Sequence, residues 1–339
     1  MVATSFSLHD PENYAHRYVE SADAFRFVRL ERAEHAEIPF LIDEYLGSAR
    51  VTRDVAAQEC LTGLDKGRLH FLFHSAFCGS TLLTRALDMH GMAMGLSEPV
   101  TLNDVVGLRR RGVAGPAVAR VADAALRLLA RPYGAGEAVV IKPSNVLNPM
   151  ADLLLALQSD ARMVFLYAPL ETYLISVVRK GLHCRLWVRQ LLEGFLREGY
   201  ADFGFLPEDY FRQSDLQVAA IGWLAQHRHF TQLVGKLGAQ RVATLDADRM
   251  TARPAEAIAA VTQHYGLSCD VASVARIVAG PAFSKHSKSG AAFTTEDRQA
   301  EYAAARGAYG EEIEMVLVWA QQVAESAGIS LEPPGALLT

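Results

Sequence analysis

The stretch from His70 to Thr84 reads HFLFHSAFCGSTLLT, and the rest of the chain can be ordered around it. Leu69 to Phe73 is an apolar run of the length of a strand buried on both faces. Ser75-Ala76-Phe77-Cys78-Gly79-Ser80-Thr81 then supplies small and turn-forming residues, and Leu82 to Leu87 resumes at helical spacing. Strand, tight polar loop and helix is the arrangement that aims free backbone N–H groups and the positive end of a helix at an anion. Gly79 lets the backbone approach a phosphate closely, and the hydroxyls of Ser80 and Thr81 stand at the helix start. The stretch reads as a phosphate cradle.

Two familiar anion loops do not fit it. The nucleoside triphosphate pattern G-x-x-x-x-G-K-S/T needs a lysine after its second glycine, where this chain has Ser80, and a first glycine where it has His74 or Ser75. The cysteine phosphatase loop needs Cys, five residues and Arg; from Cys78 that count lands on Thr84, and Arg85 is one residue late. Cys78-Gly79-Ser80-Thr81-Leu82-Leu83 instead resembles the second half of the 5′-phosphosulfate loop of sulfotransferases, P-K/R-S-G-S/T-T-x-L. Phe77 stands where that family carries a Lys or Arg touching the transferring sulfate.

Outward from the loop, apolar runs alternate with helical patterns. Met92 to Leu96, Ala138 to Ile141, Arg162 to Tyr167 and Val242 to Leu245 read as further strands. Helices are expected over Asn103 to Ala130 (broken at Gly112 and Gly115-Pro116), Pro149 to Gln158, from Leu170, Arg185 to Glu198, Gln217 to Leu237 and Pro254 to Tyr265. This alternation predicts an α/β fold, a doubly wound, mostly parallel five-stranded sheet flanked by helices. Residues 1–66 carry no recognisable motif and read as an N-terminal extension packing on the core, with residues 67–339 as the main domain. Tyr200 to Ser214, rich in aromatic and acidic residues, reads as a lid or substrate loop. Arg109-Arg110-Arg111 reads as a solvated helix face.

Four more segments resemble the sulfotransferase pattern, in the same order. Glu98-Pro99 is similar to the Glu-Pro after the second strand, where the resemblance implies that Glu98 is the base for an acceptor hydroxyl. Lys142-Pro143-Ser144-Asn145 resembles a Lys-Thr-Pro or Lys-Thr-His segment at the same strand end, which implies that Lys142 neutralises charge beside the sulfate. A lysine straight after four apolar residues is costly unless its head reaches water or an anion. Tyr167 to Lys180 resembles the 3′-phosphate segment: Ser176 matches its serine, Ala168 stands at its arginine, and Arg179, one turn on from Ser176, offers a replacement charge. Leu245 to Leu267, with Asp246, Asp248 and Pro254, resembles a segment that supports the fold. Lys285 and Lys288, in the polar run 283–290, match a late basic loop that closes on the 3′-phosphate. The plainer readings are a helix-capping glutamate at 98, a core-facing serine beside a surface arginine at 176 and 179, and an exposed loop at 283–290.

The resemblance covers roughly residues 68 to 290. It implies a sulfotransferase-type, P-loop-like fold and transfer of a sulfuryl group from 3′-phosphoadenosine 5′-phosphosulfate, without a metal, to a hydroxyl or amine of a small-molecule or carbohydrate acceptor. Cys78, Gly79, Ser80 and Thr81 would hold the 5′-phosphate. An ATP-dependent small-molecule kinase and a nucleotide-binding protein without catalysis are the alternatives. Composition narrows the partners. A net charge of −5 over 339 residues gives no broad cationic surface for nucleic acid. No apolar run approaches a membrane span, and no leader pattern opens the chain. Cys60, Cys78, Cys184 and Cys269 are scattered, without a zinc signature, and suit a reducing, cytoplasmic setting.

Overall fold

Strand formation follows burial. The structure, a computed structural model, describes residues 6–46, 52–284 and 295–339. β1 (Asn13–Val19), β2 (Ala24–Arg29) and β3 (Thr52–Ala56) pair antiparallel, in that order, as a three-stranded sheet. β4 (Leu69–His74), β5 (Ala93–Ser97), β6 (Ala138–Lys142), β7 (Met163–Tyr167) and β8 (Val242–Asp246) form a five-stranded sheet ordered β5-β6-β4-β7-β8. Every residue of β4 to β7 is buried, the signature of strands covered on both faces. β6 pairs in parallel with both β4 and β5. The amide of Phe71 donates to Arg162 O at 3.0 Å and that of Ser75 to Leu166 O at 3.1 Å, so β7 also runs parallel to β4. With β5 and β6 on one side of β4 and β7 and β8 on the other, the winding reverses at β4. Open α/β sheets bind ligands beyond the strand ends at such a reversal.

The strands stand within one or two residues of where the apolar runs put them. Helix bounds move more. The helical stretch expected over Asn103 to Ala130 is broken near Gly112 as expected, into Val100–Arg110, which starts three residues early, and Gly115–Leu129. The one expected from Pro149 begins instead as a 3-10 turn, Asn145–Met150, before Ala151–Leu157. Gly181–Arg197 starts four residues early, where Gly181 at φ 67° separates it from Leu170–Arg179. The stretch Tyr200 to Ser214 contains a short helix, Pro207–Arg212. Among the described residues, no helix is long and apolar enough to cross a membrane.

Two compact units divide the chain. The first comprises residues 1–73, 81–163 and 262–277; the second comprises 74–80, 164–261 and 278–339. In the first, the antiparallel sheet is tied to the helix Val100–Arg110 by a two-pronged bond from Arg17 to Asp104, at 2.9 and 2.7 Å. Arg131 holds the chain entering β1, donating to Asp10 O and Asn13 O at 3.0 Å each. In the second, the helix Asp215–Leu237 supplies the core. Its start is fixed by Ser214 and Gln217, each side chain bonding the other's amide. Trp223 and His227, one turn apart and fully buried, stack on one another, and the His227 Nδ1–H donates to Trp223 O at 3.0 Å.

Burial pushes the His227 imidazole down to about 3. The fold therefore keeps it neutral while the unfolded chain takes up a proton below pH 6.5. Stability is unaffected above that value and falls as pH drops from there toward about 3, by about 1.4 kcal/mol per pH unit. Urea titrations from about pH 7 to about pH 4 should show a shallower acid loss for His227→Leu than for the parent. Equal slopes would mean that His227 charges within the fold.

Candidate functional site

The loop after β4 belongs to the second unit and is held in an unusual backbone. Ala76, Phe77 and Gly79 have φ of 71°, 54° and 78°. Among the described residues, only two other non-glycine positions, Asp23 and Glu98, have positive φ. Each non-glycine residue in that region costs about 1–3 kcal/mol and persists only when its surroundings hold it. Ser75 does much of the holding. Its hydroxyl accepts the Ala168 amide at 3.2 Å and donates to Ala76 O at 3.3 Å, while the Ala76 amide donates to His74 Nδ1 at 3.0 Å. The Ala76 amide is therefore taken up inside the loop, which leads directly into the N-terminus of the helix Ser80–Leu87. A Cβ on Gly79 would meet Met250 Cε at 3.3 Å and would be strained at that φ in any case. Cys78, Ser80 and Thr81 are buried, the last two opening the helix Ser80–Leu87.

Phe77 projects a half-buried ring, 5.7 Å from Tyr173 and 5.4 Å from Trp187. Lys180 Nζ stands 5.3 Å from its centroid. Trp223, by contrast, lies in the core: its Nε1 donates to Ala168 O at 2.9 Å. Burial bears on why this position holds alanine where the resembled segment has arginine. Ala168 is fully buried, both its amide and its carbonyl engaged, and a guanidinium there would be taken out of water.

Lys142 and Glu98 belong to the first unit. Register places them side by side: Ser97 of β5 is level with Lys142 of β6, and the Glu98 amide donates to Lys142 O at 2.7 Å. Lys142 is fully buried, and the anion its head reaches is Glu98, with Nζ donating to Oε1 at 2.5 Å. Thr81 Oγ1 lies 3.4 Å from the same ammonium, and the Phe40 ring 4.9 Å away. The base and the cation expected as separate groups are thus one ion pair, with the lysine at the second residue of the helix that follows the loop.

Ser176 and Arg179 do share a face of the helix Leu170–Arg179. The face is occupied. Ser176, buried, has its hydroxyl 3.4 Å from Tyr302 Oη, and Arg179 pairs with Glu301 while lying over the Tyr302 ring. Asp246 caps the helix Ala247–Ala252, accepting from the amides of Asp248 and Arg249 at 2.7 and 3.0 Å, a fold-supporting role. Lys285 and Lys288 lie outside the described residues. Sequence reasoning did not single out Phe40 or Lys180; a ring–cation contact across tens of residues leaves no local pattern. Among the described residues, no cluster of three His, Cys, Asp or Glu side chains is placed to hold a metal ion.

No family model matches the chain, and no curated protein matches it. Among the solved structures similar to it are two sulfotransferase domains. One, the sulfotransferase domain from the curacin biosynthetic pathway, is 14% identical with a TM-score of 0.45, over 79% of this chain and 100% of that one. The other, the sulfotransferase domain from the Synechococcus PCC 7002 olefin synthase, is 13% identical with a TM-score of 0.43, over 79% of this chain and 98% of that one. A likeness that distant fixes no residue's role.

Proposed function

We propose that this chain is a sulfuryl transferase that uses 3′-phosphoadenosine 5′-phosphosulfate and an acceptor hydroxyl or amine on a small molecule or carbohydrate. The observation that carries the reading is the tight loop from Ser75 to Gly79, with positive φ at Ala76, Phe77 and Gly79, which runs from β4 into the N-terminus of the helix Ser80–Leu87 and lacks the lysine of a nucleoside triphosphate loop. In this reading Cys78, Gly79, Ser80 and Thr81 hold the 5′-phosphate. Lys142, held within reach of Thr81, neutralises charge on the sulfuryl group. The acceptor oxygen attacks sulfur, the sulfur–oxygen bond to the 5′-phosphate breaks, and the acceptor's proton passes to Glu98. Adenosine 3′,5′-bisphosphate leaves. Ser176 and Arg179 grip the 3′-phosphate, which requires Arg179 to exchange Glu301 for the ligand, and Lys285 and Lys288 add charge to that end. Catalysis of this kind rests on positioning and charge neutralisation.

Gly79→Val should abolish binding of adenosine 3′,5′-bisphosphate in calorimetric titration while leaving the circular dichroism spectrum native. Full affinity in that variant would remove the phosphate-loop reading. Thermal shift of the parent against the bisphosphate, and against ATP with magnesium, separates this function from a kinase: only the first ligand should stabilise, by about 2.7 kcal/mol at 100 times its dissociation constant.

Lys142→Met should leave bisphosphate affinity nearly intact and lower kcat by roughly a hundred- to a thousandfold, as expected for a contact made mainly in the transition state. It also removes the ion pair that Lys142 makes with the half-buried Glu98, so some stability is lost. Glu98→Gln combined with Lys142→Met should recover stability and not turnover. Normal kcat in the single variant would make Lys142 structural only.

A further inference from the structure

We propose that the first part of the helix Thr295–Ser326 is an autoinhibitory strap, in which the Glu301 carboxylate holds, on Arg179, the place that an incoming phosphate takes. The inference rests on the reading above that Ser176 and Arg179 grip the 3′-phosphate. All the groups concerned lie in the second unit. The strap crosses one face of the helix Leu170–Arg179. Glu301 pairs with Arg179, the Tyr302 hydroxyl lies 3.4 Å from Ser176 Oγ, and Arg306 pairs with Glu171. A carboxylate on a guanidinium makes the same kind of charge-assisted contact as a phosphate. Both groups assigned to the 3′-phosphate are therefore met by two successive residues of one element.

The strap is built to let go. The helix is interrupted at Tyr309, with φ −127° and ψ 15°. Gly307 and Gly310 flank the break, and a Cβ on either would meet nothing within 4 Å, so packing does not require glycine there. What the two glycines supply is backbone freedom at the kink. Beyond it Ile313, Val316, Ala320 and Ala324, spaced as one helix face, are buried. Arg185 anchors that part, pairing with Glu312 at 3.3 Å and lying over the Tyr309 ring. Ahead of the kink, from 300 to 308, only Ala305 is buried. The two ion pairs on this stretch are partly exposed, and pairs so placed hold weakly. An element with so little buried surface opens at low cost while the rest of its helix stays in place.

Calorimetric titration with adenosine 3′,5′-bisphosphate and with adenosine 5′-monophosphate, which brings no 3′-phosphate, tests the competition. Glu301→Gln should tighten the bisphosphate about fivefold, the upper range for a surface ion pair, and leave the monophosphate unchanged. Hydrogen exchange on the parent tests the motion: saturating bisphosphate should speed amide exchange in 300–308 and not in 313–324. A parent chain that binds neither nucleotide removes the phosphate-loop reading itself. A parent that binds, with Glu301→Gln no tighter for the bisphosphate or tighter for both nucleotides alike, overturns this inference alone. So does exchange in 300–308 that fails to quicken, since the strap would then stay closed over the bound nucleotide.

Discussion

An ammonium with no solvent contact must have an anion within reach, and the first unit is arranged to meet that demand. Isolated in the interior, Lys142 would cost several kcal/mol even after relaxation. The remedy is register. Parallel pairing sets Ser97 level with Lys142, so the next residue, Glu98, leaves the sheet at the point where the ammonium needs it. Glu98 accepts a φ of 52° to bring its carboxylate there while its amide closes on Lys142 O. A one-residue slip of β5 against β6 would turn every side chain of the strand to the other face and strand the charge.

The second unit meets a different demand, the strain of a loop that turns left-handed at two non-glycine residues. That strain is offset by bonds from several elements of the unit. Ser75 ties the loop to β7 and to Ala168, and Ala168 is tied in turn to Trp223 in the middle of the helix Asp215–Leu237. The loop is therefore fixed by one of the most deeply buried side chains of the unit. A loop held this way would need no rearrangement if it bound the proposed phosphate.

The five strands of the parallel sheet were legible because each is a short, mainly apolar run, and burial on both faces leaves that trace. The loop was legible because Gly79, Ser80 and Thr81 follow such a run at once. β1 to β3 were not. β3 reads Thr-Arg-Asp-Val-Ala, four of its five residues exposed, and its pairing with β2 is set by an edge that no local pattern records. Nor did the sequence reveal what Ser176 and Arg179 touch, since Glu301 and Tyr302 lie more than a hundred residues away. Ala168 shows the limit most plainly. As a departure from a motif it suggested a missing charge; in the fold it is the place where a tryptophan closes over the backbone.

The pairing of Lys142 with Glu98 also bears on how the proposed chemistry would be timed. At rest the two charges cancel, so an approaching sulfuryl group meets little net charge from them. If Glu98 took the acceptor's proton, as proposed, it would become neutral and would no longer offset the lysine's charge. That would happen as negative charge builds on the oxygen between sulfur and the departing phosphate. An interaction that strengthens along the reaction coordinate lowers the barrier, whereas one already present in the ground state lowers only the KM. In the proposed reaction the pair would therefore suit the transition state better than a lone lysine. The burial that makes Lys142 costly is the condition for the effect, because in water neither charge would depend on the other so strongly.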